Sequence, residues 1–338
     1  MAAETTAKNQ SARQIFPSRY RAIVYQALLA AAVIFAAWYL ISNAIENLLA
    51  RRIASGFGFL GREAGFEIGE TPLLGYNASD TYLRALAIGL LNTIRVALPA
   101  ILFSTLIGSA IGLARLASNR LLAHLASAYV EVLRNVPLVV QLFFWYAVIT
   151  ESLPAPADAL SPLPGIFLSN RGFAFPTLTA DFPFAPDYPT LSGFNFSGGG
   201  SLSPEFAALF LGLTLYTAAF IGEIVRAGIL AVARGQFEAA RSLGLSDRQV
   251  MRFIILPQAL RVIVPPVTSQ YLNCIKNSSL AVAIGYPDLV AIANTAINQT
   301  GQAIEGVAII MLVYLTFSLA ISTLMNSYNT YITLRGAK

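Results

Sequence analysis

The chain has 338 residues, 56% of them hydrophobic and only 12% charged, with a mean hydropathy of +0.64. Those values lie outside the range of soluble globular chains and inside that of integral membrane proteins. A single cysteine, Cys274, excludes an internal disulfide framework, and a net charge of +5 must be sorted by side of a membrane before nucleic acid is considered.

A hydrocarbon core about 30 Å thick takes about 20 apolar residues of helix to cross. Stretches near that length occur at residues 23–41, 86–113, 129–149, 206–225, 263–284 and 307–325, which predicts an all-α integral membrane protein with about six spanning helices. The first follows Lys8, Arg13, Arg19 and Arg21, as a secretory signal core does. It is longer than the about 7–15 residues of such a core and further spans follow, so it is predicted as an uncleaved helix. Between the spans, 15 Lys and Arg residues fall on one set of alternate segments and 5 on the other. The positive-inside rule then puts both termini in the cytoplasm, together with the segment joining the fourth and fifth spans. The basic balance is a matter of topology, and no nucleic-acid partner is expected.

The predicted outer loop 42–84 contains GFGFLG at 56–61, which satisfies G-x-G-x-x-G. A dinucleotide site needs that pattern between a strand and a helix, so here it is a chance match. SGGG at 197–200 is likewise external, and no G-x-x-x-x-G-K-[ST] occurs, so this chain has no P-loop for ATP phosphates. On the inner side, residues 115–128 carry Arg115, Arg120 and the lone His124, which has no second histidine to share a metal. The outer stretch 150–204 is rich in Pro and Gly with scattered Phe167, Phe173, Phe175, Phe182, Phe184 and Tyr188. Its length leaves two readings open, a docking surface for an external protein and an unstructured insertion.

The most informative block is EAARSLGLSDRQVMRFIILP at 238–257, a polar, Arg-rich stretch between apolar segments. Residues 238–243 suit one short helix, Gly244 permits the left-handed turn that ends it, and Ser246 suits the cap of a second helix. Pro257 marks a kink or break. EAAR alone is ordinary helix-former composition, whereas the full spacing from Glu238, Ala239 and Ala240 through Gly244 to Leu256 and Pro257 is specific.

That spacing resembles the cytoplasmic EAA loop of bacterial ATP-binding-cassette importers, whose permease inserts a coupling helix into the ATPase. RNVPLVVQLFFWY at 134–146, GEIVRAGI at 222–229 and KNSSLAVAIG at 276–285 are similar to segments of the polar amino-acid permeases of the type I class. Gly222 stands where that family usually has Ala, and Asn277 where it has Asp. Residues 50–70 resemble the first outer loop of one permease subunit of broad-specificity L-amino-acid uptake systems. The resemblance implies a type I permease core over 85–328, with a coupling loop at 229–261, an extra helix in 1–84 and a cytoplasmic tail at 329–338. It implies a second related permease subunit, a cytoplasmic ATPase dimer that uses ATP and Mg, a periplasmic amino-acid-binding protein, an L-amino acid as substrate, and a bacterial inner membrane. No cofactor is expected on this chain.

Ionisable residues inside spans are functional candidates by default, which singles out Arg95, Glu223 and Lys276. Lys276, followed by Asn277, Ser278 and Ser279, can receive a carboxylate or serve a structural ion pair. Gln141, Tyr216 and Asn273 join Lys276, Ser278 and Ser279 as candidate pathway residues. Asn92, Thr217, Gln270, Asn294 and Asn298 are further neutral polar groups at or near apolar depth, which often join helices rather than bind substrate. Glu223 has Arg226 one turn away as a local partner. Arg95 is expected to snorkel outward. Gly108 with Gly112, and Ala218 with Gly222, fit small-xxx-small helix packing. An ATP-independent secondary transporter or channel is the competing reading, against which stand the absence of a clear repeat and of a carboxylate network. A scaffold without transport is a further alternative, weakened by Lys276, and no spacing suggests a nucleophile with its base.

Overall fold

The computed structural model describes residues 18–50, 55–178 and 185–335. Lys8, Arg13, Phe182 and Phe184 lie outside the described residues. The chain divides into two units, residues 1–56 and 57–338. The described residues of the first include one helix, α1 (Ser18–Ala50), on which apolar side chains, including Leu28, Leu29, Phe35 and Trp38, are exposed. A helix apolar all round suits lipid as its surroundings.

The second unit opens with a 3-10 turn at Phe57–Gly61, which takes in all but the first residue of the G-x-G-x-x-G match, and no strand precedes it among the described residues. Phe59, Phe66, Tyr76 and Tyr82 pack together and hold this segment to α2 (Tyr82–Ala114), α9 (Leu289–Thr300) and α10 (Ala303–Arg335). Thr81 caps α2 by accepting from the Arg84 N–H at 3.3 Å. The helix then packs along α5 (Pro204–Leu230), the most extensive helix contact in the unit.

Between them the expected span 129–149 is broken. It is two helices, α3 (Arg120–Asn135) and α4 (Leu138–Ser152), bent by 106°. Pro137 is the cause, because its ring disfavours helical backbone at the preceding residue and it has no N–H to donate. Val136 accordingly adopts extended backbone, with ψ at 127°. Among the described residues, five helices are long and apolar enough to cross a membrane, or six if the bent pair counts as one span.

The stretch expected as a loop at 150–204 carries short antiparallel strands. These are β1 (Leu160–Leu163), β2 (Ile166–Ser169), β3 (Gly172–Phe175), β4 (Thr177–Leu178), β5 (Pro186–Asp187), β6 (Thr190–Ser192), β7 (Asn195–Ser197) and β8 (Gly200–Leu202). β1, β2, β3 and β8 form one sheet in that order, while β4–β5 and β6–β7 are separate pairs. Stacking of Phe167 on Phe196, with centroids 4.6 Å apart, joins the sheet to the β6–β7 hairpin. β8 leads directly into α5, whose N-cap Ser203 accepts from the Phe206 N–H at 3.0 Å.

After α5 come α6 (Arg234–Ser242), the short α7 (Asp247–Gln249), a π-helical turn at Val250–Ile255 and α8 (Leu256–Asn277). A 3-10 stretch at Ser278–Ile284 follows, then α9, which the apolar pattern did not predict. Asp288 caps α9 by accepting from the Ala291 N–H at 2.8 Å, and Gly301 ends it in left-handed backbone at φ 73°.

Candidate functional site

The polar block at 234–257 folds as a compact helix-turn-helix. Ala240 is 4% exposed and packs with Leu245, Val250, Ile255 and Ala259. Gly244 has φ 81°, its N–H donates to Arg241 O at 2.9 Å, and the Leu245 N–H donates to Ala240 O at 3.3 Å. This is a Schellman ending, and it uses up two of the carbonyls a helix terminus otherwise leaves unpaired. Arg241 straps the turn from outside: its Nε and Nη2 donate to Asp247 Oδ1 at 2.9 and 2.5 Å, and its guanidinium lies 4.7 Å from the Phe237 ring centre. Gln249 Oε1 accepts from the Ser246 N–H and hydroxyl at 2.9 and 2.8 Å, which fixes the start of the second helix.

The outer surface of this block is bare. Glu238, Ala239, Gly244, Leu256 and Pro257 are exposed, and Leu243 is 82% exposed at the apex of the turn. The bend expected at Pro257 is a widened turn: Leu256 N–H donates to Met251 O, five residues back. A π turn of this kind accommodates the missing donor of Pro257 without a sharp kink.

Glu223 binds Arg226, as the spacing implied, with Nη2–Oε1 at 2.5 Å and Nε–Oε2 at 3.1 Å. Its second partner is Arg115, at the C-terminal cap of α2, which also donates from Nε to Ser127 Oγ at 3.2 Å. The pairing joins α2, α3 and α5. Arg115 and Glu223 are 108 residues apart, and nothing in the local sequence links them.

The candidate pathway residues separate into two groups. Asn273 and Lys276 are exposed, three residues apart on one face of α8, and Ser269, Pro266 and Pro265 extend that face. Of the remaining four, Gln141 and Ser278 are buried and Tyr216 and Ser279 half-buried. Gln141 is 4% exposed, and its Nε2 donates to Leu133 O and Val136 O at 2.9 and 3.0 Å, bracing the break between α3 and α4. Tyr216 packs on Phe220 with ring centres 4.9 Å apart. The hydroxyls of Ser278 and Ser279 each donate at 2.7 Å to carbonyls of their own chain, Ile275 O and Lys276 O.

Arg95 does not snorkel, contrary to the expectation from its depth. Its Nη1 donates to Glu70 Oε2 at 2.6 Å, and its guanidinium lies over Phe206, 4.6 Å from the ring centre. A buried carboxylate and an aromatic face within reach are better partners than a distant interface. Ser203 donates to the other Glu70 oxygen, and Asn92 Nδ2 donates to Glu70 O and to Pro287 O, both at 3.0 Å. Four segments therefore meet at Glu70, a loop residue whose role no spacing announces. Beside it opens a cleft of about 480 Å³, walled by residues 69–72 and by the hairpins that precede α5.

Residues 104–335 match the family described as binding-protein-dependent transport system inner membrane component. The chain is 45% identical to YhdX of Escherichia coli K12, a putative amino-acid ABC transporter permease protein, over 91% of this chain and 93% of the relative. It is 40% identical to the general L-amino acid transport system permease protein AapQ of Rhizobium johnstonii, over 93% of each. Among solved structures, the crystal structure of an amino acid ABC transporter with histidines superposes with a TM-score of 0.55 and 27% identity, over 74% of this chain and 95% of that one. The inward-facing MetNI methionine ABC transporter gives 0.52 at 17% identity, over 74% and 97%, a likeness of fold. The chain belongs to the family of binding-protein-dependent transport system inner membrane components and has the type I ABC permease fold.

Proposed function

We propose that this chain is the translocation subunit of an ATP-driven importer of L-amino acids, and that the block 234–257 is the part a separate cytoplasmic ATPase holds. The observation that carries the reading is the form of that block. It is stiffened internally by the Schellman turn and the Arg241–Asp247 strap, yet it presents Glu238, Ala239, Leu243 and Gly244 exposed, with none of the described residues over them. A rigid, uncovered knob between two spans is what a lever needs at its driven end. The names of the relatives support amino acids as cargo. ATP and Mg belong to the ATPase dimer in this reading. A second related permease subunit completes the path, and a periplasmic amino-acid-binding protein delivers the substrate. Both termini lie in the cytoplasm of a double-membraned bacterium, with the exposed face bearing Asn273 and Lys276 toward the shared path.

The test is deletion of residues 239–244 in the assembled complex. Loss of the ATPase on purification, with the membrane chains still present, is the expected result. A deletion complex that keeps the ATPase and its stimulation by loaded binding protein refutes the coupling role. Uptake persisting in vesicles without ATP would favour the secondary-transporter alternative.

A further inference from the structure

We propose that the cleft beside Glu70 is an outer-face subsite for the ammonium and carboxylate that all L-amino acids share, occupied before substrate enters the membrane path. The inference rests on the amino-acid reading above and deepens it by naming a second place on this chain where the cargo is recognised.

The cleft's volume, about 480 Å³, falls within the about 300–1,000 Å³ typical of small-molecule sites. Its lining includes both signs of charge: Glu70 and Arg95 on the core side, and Arg171 on the hairpin side, with Asn195 and Ser201 as neutral polar neighbours. Arg171 sits in the tight turn between β2 and β3, where its N–H donates to Ser169 Oγ at 3.2 Å. Its guanidinium has no ion-pair partner among the described residues. A free guanidinium can take a carboxylate through two parallel N–H donors.

Glu70 is held rather than consumed by its partners. One contact from Arg95 and one from Ser203 engage its two oxygens, and an ionised carboxylate has about four acceptor positions, so capacity remains for an ammonium. The Glu70–Arg95 pair is mostly buried, with side chains 13% and 18% exposed, so the carboxylate keeps a fixed position as a ligand group should. A carrier of many amino acids can read only what they have in common. A cleft with one anchored anion, one unpaired cation and a roomy mouth reads those two charges and leaves the side chain free. Residues 69–95, which supply the core wall, precede the stretch matched by the family, while the hairpin wall lies within it.

The experiment uses the assembled wild-type importer in lipid nanodiscs, without binding protein, and photo-leucine, a diazirine analogue of L-leucine. Labelled peptides are mapped by mass spectrometry with L-leucine, leucinamide or 4-methylpentanoate as competitor. Labelling within 69–72, 169–174 and 195–203 that L-leucine suppresses, and the two singly charged analogues do not, is the expected result. R171Q should weaken protection by L-leucine by about tenfold, the loss of one charge-assisted contact, while R171K retains most of it; yield of the assembled complex controls for misfolding. Absence of label from the cleft, equal suppression by leucinamide or 4-methylpentanoate, or R171Q indistinguishable from wild type in a well-assembled complex overturns the subsite. ATP-driven uptake of L-leucine by the wild type, measured alongside with binding protein present, separates the cases: uptake without cleft labelling removes only the subsite, and no uptake removes the transport reading.

Discussion

A Cβ added at Gly112 of α2 would lie 2.7 Å from the carbonyl oxygen of Gly222 on α5. One turn earlier, a Cβ on Gly108 would stand at the same distance from Ala218 O. The two small-xxx-small pairs therefore face each other, and the backbones of α2 and α5 touch where other residues would hold them apart. Substituting Gly112 by Ala forces the helices to separate, at a cost of about 1–3 kcal/mol for an overpacked core. G222A is milder, because its Cβ would meet Ile111 Cγ2 at 3.1 Å, a side chain with some freedom to move. Thermal unfolding of the purified complex should rank wild type, then G222A, then G112A.

Gly244 provides the second prediction. At φ 81° an alanine carries the penalty of left-handed backbone, about 1–2 kcal/mol, and an asparagine less. With nothing within 4 Å of its added Cβ, G244A acts through the backbone alone. Binding-protein-stimulated ATPase activity should fall in G244A and be largely retained in G244N, with overall chain yield unaltered. Equal activity in G244A and wild type would show that the shape of the turn is unimportant to coupling.

Glu223 faces two arginines, so E223Q leaves both Arg115 and Arg226 without their anion, whereas R226Q leaves the Arg115 contact intact. Stranding a buried charge costs about 3–5 kcal/mol, and the partial exposure of this cluster, 12–29% of each side chain, reduces that figure. E223Q should therefore lower the unfolding temperature more than R226Q. The reverse order would remove Arg115 from the cluster's energetics.

Asp288, fully buried at the N-cap of α9, has its carboxyl pushed up from 3.8 to about 7 by burial, which the N–H groups of Ala291 and Val290 offset only in part. Between those two values the folded protein holds a proton that the unfolded chain has released. Stability contributed at this site therefore falls as pH rises from about 4 to 7 and levels off above that. The difference in melting temperature between wild type and D288N should be larger in favour of wild type at pH 5 than at pH 8. A difference independent of pH would place the carboxyl near its ordinary value.

The parts of this fold legible in sequence were those with long apolar runs or turn chemistry. α2, α5, α8 and α10 coincide with apolar stretches, and the turn at Gly244 followed from glycine's access to positive φ. α9 escaped because its 12 residues are too few to span and carry exposed Asn294 and Asn298, although Asp288 and Gly301 bracket it as cap residues. The break at Pro137 was visible as a proline but hidden by the apolar residues on both sides. The hairpins before α5 are strands of two to four residues, too short for any alternation to register. Of the polar groups, Arg226 was found as Glu223's partner because it lies one turn away. Glu70 was not found for Arg95, since 25 residues and a loop separate them and only tertiary packing closes the gap.

The widened turn at 250–255 sets the rotational phase between α7 and α8. It holds one residue more than a regular helical turn would between the same ends. Removing a single residue there would permit an uninterrupted α-helix between the same ends, whereas removing one from the regular turns of α8 would swing Leu243 and Glu238 by about 100° around its axis. A one-residue gap within 250–255 should thus be tolerated better than the same gap in α8, because only the latter changes which way the knob points.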